Sequence, residues 1–477
     1  MDTYADYDAL GLAELVAKGD VTPTELLQAA FSRAAAAQEK LNCFSAMFPE
    51  AAEAQIAEGL HSGAFSGVPF ATKDLGAGIK GQTLTNGSVA WKGNVAKEDS
   101  VLTQRFKAAG LAIFGQTTSP EWGLTTSTES TLYGQTRNPW DTTRTSGGSS
   151  GGASAAVAAG VIPMAHASDG GGSIRIPAAC TGLFGMKPSR GRTPMGPATT
   201  EGWNGQSCHG TVSRTVRDSA AALDAIHGPE TGSRYVAPAP DGTFLSALDA
   251  DPQPMKIALW TTAPNGTRPD KDAFAGLSAT VALLESLGHH VEEAGPALDG
   301  EALGKGLMMT VSAAMAMVLS ARETELGRAL EDGEVESVTA RFREFGNSIP
   351  MVELMRANQA SIQAGIDFDQ FMIDGGYNMI LAPTLSRAPE KLGVLSLNPE
   401  DVDHYGEAVT TFAPWCAVFN QIGAPAMSVP LHWTAQNVPI GMMFGARCGQ
   451  ERALFQLAGQ LERAAPWTHR KPPVWVG

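Results

Sequence analysis

With 477 residues the chain has room for about three average domains or one large one, and a chain of this length buries enough apolar surface to need neither a disulfide nor a metal staple. Hydrophobic residues at 43% and charged ones at 17% exclude a disordered chain or a coiled coil. A net charge of −15 argues against general binding to nucleic acid or to an anionic membrane, because both surfaces would repel it. Cys43, Cys180, Cys208, Cys416 and Cys448 are scattered, with no CxxC pair, and read as reduced thiols. The N-terminus has neither the basic region nor the apolar core of a signal peptide. The apolar stretches near 153–167 and 311–319 are interrupted and fall short of the ~20 residues a membrane span needs. A cytoplasmic location is the expectation.

Asp8 is placed to cap a helix carrying Leu10, Leu12, Leu15 and Val16, with Gly19 at its exit. Thr22-Pro23-Thr24-Glu25 is a capping box with proline in the first turn, and Leu26, Leu27, Ala30, Phe31 and Ala34 then share one helical face. Residues 41–48 predict a short strand and 49–59 a further helix. Val68–Ala71 reads as a strand running into Lys73, residues 101–109 as a helix, and 111–115 as a buried strand. This alternation argues for an open α/β sheet. A glycine-serine loop over 140–152 precedes a small-residue helix at 153–159. A strand at 161–165 feeds a second loop, 169–175, which opens another helix. Residues 230–270 read as a Pro- and Gly-rich connection, and 271–365 as mainly helical with a Met-rich patch at 307–317. Residues 379–382 and 426–430 are predicted strands, and 453–464 a final amphipathic helix. With no internal repeat and no dividing linker, one domain over 1–477 is expected, with 230–400 as a variable substrate-facing lobe.

Two loops have chemical potential. Gly147-Gly148-Ser149-Ser150-Gly151-Gly152 lacks the Gly-Lys-Ser/Thr ending of a phosphate loop. Through Gly147, Ser149 and Gly151 it matches G-x-S-x-G, the nucleophile elbow of α/β-hydrolase serine esterases, but the polar, Pro139-containing run before it is not the buried strand an elbow requires. A flexible linker is its bland alternative. In the second loop, Asp169-Gly170-Gly171-Gly172-Ser173-Ile174-Arg175, three glycines let successive N–H groups converge beside a serine at a helix start. An acyl-transfer nucleophile needs this surrounding, while a plain strand-to-helix turn with a Ser cap has the same pattern. Lys73 ends an apolar strand, where desolvation would lower its pKa toward that of a base; a solvated surface charge is the alternative. His289 and His290 follow a helix end and read as surface charges, and His166, in strand phase, as a core residue. There is no HExxH, no Cys/His cluster and no nucleotide loop, so neither metal nor cofactor is expected.

Taken together, Lys73, the GGSSGG loop and DGGGSIR resemble the amidase signature family. The similarity extends through Gly67-Val68-Pro69, Thr85-Asn86-Gly87-Ser88, Gly115-Gln116-Thr117, Glu121, Thr136-Arg137-Asn138-Pro139-Trp140 and Lys187-Pro188-Ser189-Arg190-Gly191-Arg192, and near the end through Gly423-Ala424-Pro425-Ala426 and Pro439-Ile440-Gly441. It covers most of 1–220 and 410–470 and is weak between about 230 and 400. Ser149 and Ser173 stand 24 residues apart, as in the family. The resemblance implies a large mixed β-sheet core covered by helices on both faces and a Ser–cis-Ser–Lys triad. In that triad Ser173 is the nucleophile, Ser149 the bridging serine on a cis peptide from Gly148, and Lys73 the base. Gly170, Gly171, Gly172 and Ser173 would supply oxyanion N–H groups, with Gly170 where the family commonly has a larger residue. Ser150 would support the triad by hydrogen bonding, and Asp169 with Arg175 would brace the loop as an ion pair. The implied activity is hydrolysis of non-peptide C–N bonds in a small or medium neutral amide, lactam-like, synthetic or carbamate; a homodimer is expected. Met308, Met309, Met315 and Met317 would form an apolar wall or ordinary helix core, and Trp203, Cys208 and Trp415 line the pocket or simply pack. The other family activity, a glutamine-hydrolysing amidotransferase subunit, would need partner subunits. A non-catalytic binding protein on the same fold would not need the intact Lys73/Ser149/Ser173 set.

Overall fold

The computed structural model describes residues 3–477. Its first helices form where their caps put them. Asp8 accepts the Gly11 N–H in front of the helix Ala9–Lys18, and Gly19 leaves it at φ 76°, a left-handed conformation that costs glycine little. Thr22 and Glu25 complete the capping box of Pro23–Leu41.

Thirteen strands occur among the described residues. β1 (Phe44–Met47), β2 (Pro69–Lys73) and β3 (Ala112–Thr117) form a sheet in the order β1-β3-β2, with β3 antiparallel to β1 and parallel to β2. β4 (Glu129–Ser130) and β5 (Gly134–Gln135) form a small hairpin. The others are β6 (Met164–Asp169), β7 (Phe184–Lys187), β8 (Cys208–Ser213), β9 (Lys256–Leu259), β10 (His290–Glu293), β11 (Met379–Pro383), β12 (Ala426–Trp433) and β13 (Pro439–Gly445). They make one eight-stranded mixed sheet in the order β10-β9-β11-β13-β12-β7-β8-β6. Every residue of β7, β8, β11 and β13 is buried, so helices must cover both faces. The expected α/β class with a helix-covered mixed sheet is the observed one. Edge strand β6 lies against β2, so the two sheets abut where Lys73 ends β2.

Several boundaries differ from expectation. β6 starts at Met164, not at Val161, because Pro163 has no N–H to give a ladder and Val161–Pro163 turns instead. β9 interrupts the stretch read as a connection, and β9, β10 and β11 bring residues from 230–400 into the large sheet. His289 is no surface charge. It is buried, its Nδ1 accepts the Met255 N–H at 3.1 Å, and its Nε2 pairs with Gln460 at 2.8 Å, while exposed His290 opens the half-exposed β10. The Met-rich patch lies in a 27-residue helix, Gly300–Leu326, that is by length and composition long and apolar enough to cross a membrane, although half of its most apolar window is buried in protein.

Candidate active site

Lys73 closes β2, and its side chain is fully buried. Its Nζ donates to Ser149 Oγ at 2.7 Å and to Ser168 Oγ at 3.0 Å. Burial pushes the amine down to about 7, against the opposing pull of Asp169. The peptide between Gly148 and Ser149 is cis. The loop has to be glycine here, since a Cβ on Gly148 would lie 2.3 Å from the Ser127 carbonyl oxygen, and one on Gly151 2.4 Å from Thr128 Oγ1. No strand precedes Ser149 as an elbow would require: residues 136–150 are irregular. Ser150 accepts the Ser168 N–H and donates to the Ser168 carbonyl, each at 3.2 Å.

β6 delivers the second loop. Asp169, its last residue, accepts the N–H groups of Gly172 (2.7 Å) and Ile174 (3.1 Å), which winds the backbone around Ser173 ahead of the helix Arg175–Thr181. Of the four N–H groups expected to face an oxyanion, that of Gly172 is committed to Asp169 Oδ1, and those of Gly170, Gly171 and Ser173 have no acceptor among the described residues. Gly172 itself, at φ 130°, leaves no room for a Cβ, which would lie 2.7 Å from the Cβ of Cys416. The Ser173 side chain is half-buried, and among the described residues no hydrogen bond joins its hydroxyl to Ser149.

Asp169 and Arg175 are both wholly buried and paired through two 3.0 Å hydrogen bonds. Burial alone would raise the carboxyl; the Arg175 charge and hydrogen bonds outweigh it and hold Asp169 at about 2. Arg175 also reaches the Cys416 carbonyl and Asn420 Oδ1, and Asn420 Nδ2 returns to Asp169 Oδ1 at 2.8 Å.

An apolar cluster touches both loops. Gly123 lies so close to Ser149 that a Cβ would be 2.9 Å from its Oγ, and the next residue, Leu124, belongs to a cluster with Val311, Met315, Leu397 and Tyr405. Trp203 packs on that cluster and at the same time on Gly170, where a Cβ would meet its ring at 2.8 Å. The indole thus fills the space that a larger side chain at 170 would take. Of the other expected lining residues, Cys208 and Trp415 are buried packing, Met309 is buried, and Met308 and Met317 are exposed. A separate 340 Å³ cavity, lined by Arg190, Asn204, Gln206, Tyr235 and Ile362 among others, holds none of Lys73, Ser149 and Ser173.

Ser168 and Asn420 were not singled out from the sequence. Ser168 had one available signal: in a strand, residues two apart share a face, so His166 and Ser168 of β6 both turn toward Lys73.

The family model for amidases, described as "Amidase", matches residues 25–455. The chain is 34% identical to a 6-aminohexanoate-cyclic-dimer hydrolase of Paenarthrobacter ureafaciens over 98% of this chain and 96% of that protein. The solved structure of a 6-aminohexanoate cyclic dimer hydrolase complexed with substrate superposes with a TM-score of 0.93 at 31% identity, over 99% of this chain and 100% of that one. A bacterial aryl acylamidase of the same family superposes at 0.86 and 26% identity, over 97% of each chain. This chain belongs to the amidase signature family of amidohydrolases, which act on non-peptide C–N bonds.

Proposed function

We propose that the chain hydrolyses small to medium neutral amides, including lactam-like, synthetic and carbamate substrates, through a serine acyl-enzyme built by a single domain over 1–477. The observation that carries this reading is the 2.7 Å contact between a buried lysine and Ser149 on a cis peptide, beside a loop that offers Ser173 with unengaged N–H groups. At that contact the neutral Lys73 amine accepts the Ser149 proton while Ser149 accepts that of Ser173, whose oxygen attacks the carbonyl carbon. The Ser149–Ser173 link forms with substrate bound, since catalytic hydrogen bonds are commonly loose in the free enzyme and tighten in the Michaelis complex. The N–H groups of Gly170, Gly171 and Ser173 receive the oxyanion. The proton returns along the relay to the leaving amine, and water then releases the acid.

The relatives named above support a cyclic or aryl amide, and the Trp203–Leu124–Met315 cluster supports an uncharged substrate because it offers no counter-ion. The test is a panel of aryl amides, linear and cyclic aliphatic amides, carbamates and esters, run with covalent labelling by a fluorophosphonate. Labelling and turnover of uncharged amides are expected. Failure to label, or activity confined to glutamine, rejects the reading.

A cytoplasmic location belongs to the same reading and is supported by five unpaired cysteines, four of them buried. So does a homodimer. Met351, Met355, Ile362, Ile366 and Ile373 are exposed at four- and seven-residue spacings, along one face of the helix Met351–Asp374. Arg356 lies toward one end of a flank of that face and Asp367 and Asp374 toward the other, so antiparallel two-fold pairing with a second copy sets opposite charges together. Sedimentation should give twice the chain mass, and Ile362→Glu should return it to one.

A further inference from the structure

Lys73 is gripped at two places by one face of β6. Ser168 Oγ takes its amine, and two residues earlier His166 Nδ1 accepts its backbone N–H at 3.1 Å. β2 and β6 belong to separate sheets, so at this point an imidazole stands where a ladder carbonyl would otherwise serve. Because Nδ1 accepts, the His166 proton sits on Nε2, which faces His209 Nδ1 at 3.0 Å, and His209 in turn carries its own proton on Nε2. His209 comes from β8, opposite Ser168 in register. Both rings are buried, 0% and 2% exposed, and Phe106 closes over His166 edge-on at 5.8 Å.

We propose that His166 and His209 are positioning residues, a neutral and tautomer-locked imidazole pair that pins the main chain of the Lys73 base and keeps water and charge away from its amine. The inference rests on the reading of Lys73 as the base. The charged and titratable groups facing the pair are few. From β2 come Lys73 itself and Asp74, whose carboxyl is taken up by Thr85. Asp169, at the end of β6, is spent on Arg175. From the helix Val101–Ala108 Phe106 packs on His166, while the charged residues turn away, Arg105 to the carbonyls of 226–229 and Lys107 to Asp99. Burial, the neighbouring ring and Lys73 hold His166 well below its ordinary value, and burial with Lys73 takes His209 down to about 4. Both rings are therefore neutral wherever the enzyme would work. Electrostatic coupling is reciprocal, so a positive charge on either ring would oppose charging of the lysine, and a proton on His166 Nδ1 would also remove the acceptor of the Lys73 N–H.

The experiment compares His166→Ala, His166→Asn and His209→Ala with wild type by the pH dependence of kcat/KM on an aryl amide, with thermal midpoints alongside. Alanine at 166 opens a void to water, which lets the lysine pKa rise and moves the acid limb up by ~1 pH unit, a loss of ~5-fold at about pH 7 that approaches ~10-fold at lower pH and is recovered at high pH. Asparagine, whose Oδ1 can still accept the Lys73 N–H, should shift the limb less than alanine. Should His166→Ala not fold, the Asn variant and His209→Ala carry the test. A pair that merely fills the core would lower the rate equally at every pH; an unmoved limb in the folded variants overturns the inference. A Lys73→Met enzyme that kept wild-type rate and limb would instead overturn the base assignment itself.

Discussion

Lys73→Met is expected to lower turnover by about 10²- to 10⁴-fold, the range a positioned general base contributes, and at the same time to make the protein more stable. The two effects have one cause. A lysine held at about 7 in the fold, against ~10.4 in the unfolded chain, binds fewer protons folded than unfolded between those values. By linkage, stability rises with pH across that window, so at and below pH 7 the buried amine costs about 4 kcal/mol relative to a group with no pKa to shift. Methionine keeps the stem volume and removes the proton, and the lost hydrogen bonds to Ser149 and Ser168 offset only part of the gain. Wild-type activity should fall on the acid side near pH 7 as the lysine charges. Chemical denaturation at pH 6 and pH 9 checks the stability half, with the advantage of the variant larger at pH 6. A variant as active as wild type, or one less stable at both pH values, contradicts the assignment of a neutral buried base.

What could be read from the sequence was what short stretches of chain decide for themselves. Lys73 ends a strand of five buried residues, and the Ser149 and Ser173 loops show as runs of glycine, although the neighbours that exclude a Cβ include Ser127 at Gly148 and Cys416 at Gly172, both distant in the chain. The α/β alternation and both N-terminal helix starts were legible for the same reason, because caps and periodicity are local. The remainder of the site is assembled by tertiary pairing. Ser168 meets Lys73 across 95 residues and Asn420 meets Asp169 across 251, so Asn420 carries no local mark and Ser168 none beyond its strand phase with His166. His166 looked like a core residue and is one by burial; its bond to the Lys73 backbone depends on β6 lying beside β2. β9 and β10, four residues each, were lost because a strand that short gives too little alternation to read, and β10 is a half-exposed edge. Nor does the sequence reveal that Asp169 folds back on its own loop to take the Gly172 N–H.

That fold-back makes Arg175 the residue whose loss should destabilise the chain most. Arg175→Met leaves the Asp169 carboxylate with no counter-charge at a wholly buried position, and breaking one side of such a pair costs about 3–5 kcal/mol. Part of that is visible through pH. With Asp169 at about 2 in the fold and ~3.9 when unfolded, the pair contributes up to about 2.6 kcal/mol that is fully present above pH 4 and is lost as pH falls toward 2. In the variant, burial without the guanidinium raises the carboxyl, so this acid-side decline should vanish and the protein should be weaker at neutral pH instead. The remaining loss comes from the Arg175 bonds to the Cys416 carbonyl and Asn420, which tie the Ser173 loop to the helix Cys416–Gln421. Asp169→Asn separates the two roles in part: it keeps one acceptor oxygen, enough for either the Gly172 or the Ile174 N–H, but strands the arginine charge. Denaturation midpoints from pH 3 to pH 8 decide the matter. Equal midpoints for wild type and Arg175→Met at pH 7 would mean that the ion pair contributes nothing to the fold and that loop geometry is set by glycine and packing alone.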